Sequence, residues 1–297
     1  MKIRKSMTHS MKKIVVGSLM IVTLAMLSVY VLKQPESVSD STAGSQSVQT
    51  MTVATGTITS PLKARTSSPV TSVPDFTQYA DVKEKKQAFF DFLYPVVVEQ
   101  NTFIREQRAQ VKRIKSRFEQ QETLSEKDTQ LLMAYAKAYH IDEQPISDDF
   151  FNLLLRRVDV IPPSLALAQA AIESGWGGSR FAQQGNNLFG HWCFSKGCGF
   201  VPASRDGNKS HEVAKFQTVN EAVRKYMRNL NAFHPYTPMR DIRVEKRNDN
   251  EPITGPALVD GLIDYSEMKE EYTQKVIQMI RQNKLTRYDV GQPQAGL

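Results

Sequence analysis

A run of 19 residues without a single charge, Ile14–Leu32 (IVVGSLMIVTLAMLSVYVL), constrains this chain more than any other feature. As a helix it approaches the ~20 apolar residues that cross a bilayer. Lys2, Arg4, Lys5, Lys12 and Lys13 precede it. By the positive-inside rule, the N-terminus then stays cytoplasmic and everything after Lys33 is exported. A cleaved signal peptide is the alternative, but the run is long for a signal core and no clean A-x-A site follows it. The expectation is a cytoplasmic tail and membrane anchor over residues 1–33. The protein would then be single-pass in the cytoplasmic (inner) membrane, with its folded part in the periplasm or outside the cell.

The formal net charge of +7 follows largely from that segment. Six of the 38 basic residues lie in the first 33 positions, which hold no acidic residue, leaving 32 basic against 31 acidic. So balanced a remainder argues against a nucleic-acid partner. Between Ser37 and Ser72, 17 of 36 residues are Ser or Thr, and no aromatic residue occurs from Gln34 to Asp75. Too little apolar surface is present to offset chain entropy, so residues 34–75 are expected to form a flexible linker.

From Phe76 the pattern turns helical. FFDFLYPVVVEQ is apolar enough for a buried helix, with Pro95 expected to kink or break it. Phe103 or Ile104, Val111, Ile114 and Phe118 continue at helical spacing. Ser125, with Asp128 three positions on, opens a further helix as a capping box, and Ser147 or Asp148 caps the next. IPPSLALAQAAIESG then forms a helix capped by Ser164, burying Leu165, Ala168 and Ile172 and ended by a left-handed Gly175. His191 to Phe216, with its Asp206-Gly207-Asn208 turn signal, is expected to be a loop plus a β-hairpin. Thr218 and Glu221 form another capping box, and a final helix is expected from about Ser266 to Leu285. Together these features predict a predominantly helical α+β fold. A helical region over residues 76–160 packs on a domain over 161–288, and a tail over 289–297 follows.

Glu173 occupies the last turn of its helix, where free carbonyls disfavour a second negative charge. Trp176, Phe189 and Trp192 follow closely and supply an apolar lining. Both effects raise a carboxyl pKa, as a general acid at neutral pH requires. On position alone the plainer reading is a solvated glutamate that closes a helix. Gln169, four residues earlier, shares its face. Cys193 and Cys198 (CFSKGC) are the only cysteines. In an exported domain they read as a disulfide. A zinc site using His191, Cys193, Cys198 and His211 is the competing reading, but the spacing matches no standard finger or ribbon. Free thiols are a third option. No metal or cofactor is expected. The sequon at Asn208 is taken as chance.

AQAAIESGWGGSRFA followed by NNLFG resembles the glucosaminidase family of peptidoglycan hydrolases (glycoside hydrolase family 73). That family includes the C-terminal domain of the flagellar rod protein FlgJ and bacterial Bax-type proteins. Its members show an "ALESGWG"-like helix end and then "NLFGIK". Asn187, Leu188, Phe189 and Gly190 match the second motif, while His191 and Trp192 depart from it. The order of anchor, linker and late glucosaminidase domain is most similar to Bax-type proteins. This resemblance covers roughly Ile161 to Leu285 and implies a lysozyme-like fold with a helical lobe facing a small β-hairpin lobe across a glycan groove. It also implies Glu173 as the acid that protonates the leaving glycosidic oxygen. In the segment HEVAKFQTVNEA it makes Glu212 the match for a second carboxylate, which would activate water or stabilise the transition state. A plain hairpin surface glutamate is the alternative for that residue. In GLIDYSEMKEEY it makes Tyr265 the candidate late tyrosine, with Tyr272 its companion. Asp264 there replaces a glycine, and one residue is added between the tyrosines. Tyr236, in HPYTPMR, is an alternative. Gln169, Trp176, Asn187, Phe189, Trp192, Tyr236 and Tyr272 are the expected substrate contacts.

The implied activity is an endo-β-N-acetylglucosaminidase acting on peptidoglycan glycan strands. A muramidase or lytic transglycosylase of the same fold, or a non-catalytic wall-binding scaffold, stands as the alternative.

Overall fold

A computed structural model describes residues 69–202 and 211–290. The expected anchor, nearly all of the linker, the Asp206-Gly207-Asn208 turn, the Asn208 sequon and the tail beyond 290 lie outside the described residues. Among the described residues, no helix is long and apolar enough to cross a membrane.

Helix α1 (Val82–Glu119) begins where Asp81 accepts the Glu84 N–H at 2.8 Å. Its 38 residues span roughly 57 Å at the usual helical rise. Of the kink or break expected at Pro95, the break does not occur, and the helix runs through it. Leu93, Val96 and Val97 flank the proline and are buried. At about 1.5–3 kcal/mol for each such side chain, their burial outweighs the roughly 3 kcal/mol cost of an internal proline. Helices α2 (Glu126–Ala138) and α3 (Asp148–Arg157) start at Ser125 and Ser147, whose side chains accept the Asp128 and Phe150 N–H groups.

Helix α4 (Pro163–Ser174) is the axis on which α1 and the C-terminal elements pack. Every residue from Pro163 to Ala171 is buried, so the helix passes through the core instead of showing it one face. Ile172 is only partly buried. Ser164 does not cap this helix, because Pro162 holds the cap position. Asp289 takes that role from 125 residues away, accepting the Ser164 N–H at 2.9 Å and the Ser164 hydroxyl at 2.6 Å. Any acceptor that reaches the free N–H groups of a first turn can serve them. Gly175, at φ +57°, ends the helix in the left-handed region as expected.

Helix α5 (Arg180–Gly185), capped by Ser179, is too short to show in the periodicity. Strands β1 (Trp192–Cys193), β2 (Gly199–Phe200) and β3 (Glu212–Ala214) follow. They make an antiparallel sheet ordered β1-β3-β2, not a simple hairpin, with Trp192 opposite Val213 and Phe200 opposite the same residue. Helix α6 (Val219–Ala232) starts at Thr218, while Glu221 closes its box on the Gln217 N–H at 2.9 Å. The expected helix from Ser266 to Leu285 is shorter. Helices α7 (Thr237–Asn248) and α8 (Gly255–Leu258) and a 3-10 segment (Val259–Tyr265) lead into α9 (Glu270–Gln282).

One apolar cluster runs from Val73 to Leu285 and includes residues of α1, α3, α4, α6 and α9. Asp159, between α3 and α4, is buried within it and accepts two bonds from Arg247 at 2.6 Å. Arg108 and Arg243 lie 3.5 and 3.9 Å from its carboxylate. Burial would push that carboxyl up, but the three guanidinium groups hold it at about 2. The fold is the expected predominantly helical, lysozyme-like α+β arrangement with a small sheet.

Candidate functional site

Asn187 organises the loop that approaches Glu173. Its Nδ2 donates to the His191 and Ala214 carbonyls, both at 2.9 Å, and its Oδ1 accepts the His191 N–H at 3.0 Å. The loop is thereby tied to β1 and β3, and Gly190 comes up against the acid. A Cβ at position 190 would lie 3.5 Å from Glu173 Oε2, and the residue sits at φ +67°, where glycine is favoured.

On the other side, three hydrogen bonds run in one direction. The Tyr226 hydroxyl donates to Gln169 Oε1 at 2.7 Å. Gln169 Nε2 donates to the Tyr272 hydroxyl at 3.0 Å, and that hydroxyl donates to Glu173 Oε1 at 2.8 Å. Because the amide uses its oxygen for Tyr226, only its N–H groups can face Tyr272, which leaves the phenol proton for Glu173. Tyr265 stacks on Tyr272 at 5.3 Å and donates to the Phe189 carbonyl at 3.4 Å. Tyr236 lies 5.9 Å from Tyr265.

Burial pushes the Glu173 carboxyl above its ordinary value, and the Tyr272 bond and the Lys275 charge offset only part of that. Burial and the neighbouring Glu173 push the Tyr272 hydroxyl far up, so it stays a proton donor to the carboxyl throughout the physiological range. The arrangement is a half-buried acid with one oxygen fixed by a phenol and the other beside a glycine.

Several of the expected substrate contacts lie in the interior. Gln169 has no exposed surface, and both ends of its amide serve tyrosines. Asn187 is buried as the loop clamp, and Phe189 is buried and stacked on Tyr226 at 4.1 Å. Trp176 packs on Phe89 and Phe90 of α1, with Lys86 Nζ 5.0 Å from its ring centroid. The hydrogen-bond partner of Glu173 is a tyrosine, Tyr272, the expected companion, while Tyr265 and Tyr236 stand half-buried alongside. Trp192 is 47% exposed, its ring 4.5 Å from that of His211. Tyr226 escaped sequence reasoning because it continues the apolar face of α6 and looks like any core residue there.

Glu212 is not a surface residue. It is 4% exposed, and its oxygens accept the Gly197 N–H at 3.0 Å and the Gly199 N–H at 2.8 Å. Cys193 and Cys198 form a disulfide. Their sulfurs and the Glu212 carboxylate lie within 4.8 Å of one another, but sulfurs joined in a disulfide offer no thiolate to a metal. His191 is buried, its Nδ1 3.4 Å from Asn229 Nδ2, and burial and Lys225 hold its imidazole down at about 4.

The curated protein named Protein bax, from Escherichia coli (strain K12), is 31% identical over 222 residues, which cover 74% of this chain and 78% of that protein. No solved structure matches the chain significantly. A family model described as "Glucosaminidase: Mannosyl-glycoprotein endo-beta-N-acetylglucosaminidase" matches residues 149–285, a span that contains Glu173, Tyr272 and the sheet. On these matches the chain belongs to the glucosaminidase family, a family of glycoside hydrolases.

Proposed function

We propose that the chain is a peptidoglycan hydrolase, an endo-β-N-acetylglucosaminidase that cleaves wall glycan strands with Glu173 as general acid. The observation that carries this reading is the half-buried carboxyl whose pKa burial raises and whose Oε1 accepts from Tyr272 at 2.8 Å. With Oε1 occupied, Oε2 is the oxygen that holds the proton. It passes that proton to the glycosidic oxygen as the bond to the anomeric carbon breaks, and water then completes the substitution at that carbon. The Tyr272 bond strengthens as Glu173 becomes anionic, which stabilises the charge left behind. In this reading Tyr265 and Tyr236 orient the acetamido group of the substrate, and Trp192 meets a sugar face. The uncharged run Ile14–Leu32 supports a single-pass anchor in the cytoplasmic membrane that presents this site to the wall.

A muramidase or lytic transglycosylase, for which a single catalytic acid suffices, is the second reading, supported by Glu212, whose oxygens each accept a backbone amide. Digestion of purified peptidoglycan by the full chain in detergent, followed by analysis of the new ends, separates the two. Reducing N-acetylglucosamine ends are expected. Muramic or anhydro-muramyl ends would replace the first reading with the second. If no fragments are released, and Glu173→Gln binds sacculi as the wild type does, the chain is a scaffold and not an enzyme.

A further inference from the structure

We propose that the loop closed by Cys193 and Cys198 is a platform for a glycan strand, faced by Trp192 and Phe194, and that Glu212 positions it without touching the reacting atoms. The proposal rests on the glycan-cleaving reading above.

Large apolar side chains are unusually exposed here. Trp192 is 47%, Phe194 78% and Val201 54% exposed, whereas Cys193, between the two aromatics, is partly buried. Trp192 opens β1, and Phe194 directly follows that two-residue strand. Bare aromatic surface of this kind marks a binding site when it adjoins one. It does adjoin one. Gly190 lies against Glu173 Oε2, and Trp192 is two residues further on, at most about 7 Å along the chain. The platform therefore starts within about two sugar rings of the acid. The flat C–H faces of pyranose rings match aromatic faces, so the occupant is the glycan strand, lying on both rings with successive sugars.

A short loop that carries one exposed aromatic and adjoins another has no core of its own to hold its shape. Two devices supply that here. The disulfide joins its ends, and the Glu212 carboxylate takes the Gly197 and Gly199 N–H groups from beneath. Charge-assisted bonds of this type are the stronger class, which accounts for an acidic residue at a position only 4% exposed. Each Glu212 oxygen accepts a backbone amide, which ties the carboxylate to the loop.

Kinetics of the full chain in detergent on purified glycan strands test this. Phe194→Ala, at an exposed position that does not threaten folding, should raise KM by about tenfold, the scale of one lost aromatic contact, with kcat within about twofold. Glu212→Ala and the Cys193→Ser/Cys198→Ser pair should show the same split. Glu212→Gln, which keeps one acceptor, should fall between them and the wild type. A reducing agent should raise KM in the wild type and leave the double-serine variant unchanged. An unaltered KM in Phe194→Ala overturns the platform. A collapse of kcat at unchanged KM in Glu212→Ala overturns the positioning role and returns that residue to the chemistry. If the wild type cleaves nothing, the functional reading fails separately. Cosedimentation of Glu173→Gln with glycan strands, with and without Phe194→Ala, then still decides the platform.

Discussion

Burial holds the Glu173 carboxyl above its ordinary pKa, and this has a cost in stability. Its folded pKa lies above the unfolded value, so the folded state binds more protons, and stability falls as pH rises through that window. Glu173→Gln keeps an acceptor for Tyr272 and removes the titration. Melting scans should show it more stable than the wild type at pH 7 and equal to it near pH 3, while turnover drops by about 10²–10⁴-fold. Tyr272→Phe removes a bond that favours the charged carboxylate, so the acid's pKa rises further. The alkaline limb of the pH–rate profile should move to higher pH, and kcat should fall by about 10–100-fold through lost orientation and charge stabilisation. At this scale the raised pKa of Glu173 was legible from the helix end and apolar neighbours around it. Its partner was not. Tyr272 lies 99 residues away, and nothing local separates it from Tyr265 or Tyr236.

Among the elements, caps and turns were legible because their hydrogen bonds reach only a few residues. Ser125, Ser147 and Thr218 each start a helix as their spacing implied. The exceptions share one cause. Pro95 is tolerated inside α1, and Asp289 serves the first turn of α4, because packing between distant segments outweighs a local preference. Asp159 shows the same at higher stakes. It joins Arg108 of α1 to Arg243 and Arg247 of α7 inside the core. Asp159→Asn leaves these guanidinium groups underpaired and should cost about 3–5 kcal/mol at pH 7, measured by urea unfolding. Because its folded pKa is depressed to about 2, the contribution is full above the ordinary value of 3.8 and is lost as pH falls towards 2. The difference between variant and wild type should therefore shrink in acid.

For the molecule as a whole, the family match begins at residue 149, yet the apolar cluster begins at Val73. Phe89 and Phe90 of α1 pack on Trp176, three residues past Glu173, and Asn101 holds the Ile161 backbone with bonds of 2.8 and 3.0 Å. A fragment covering only residues 149–297 should therefore lack a cooperative thermal transition, which calorimetry would show. The fragment 69–297 should retain one.

Signals within one or two turns were enough to recognise a mostly helical chain, a small sheet and a carboxyl poised at a helix end beside a glycine-bearing loop. Such signals are short-ranged in space and in sequence alike, so they survive reading along a line. Whether Gln169, Asn187 and Phe189 touch ligand or core, whether Glu212 meets water or backbone, and which phenol reaches Glu173 depend on how α9, α6 and the sheet close around α4. That closure maximises the burial of apolar surface from the whole chain, and only the packed tertiary structure decides it.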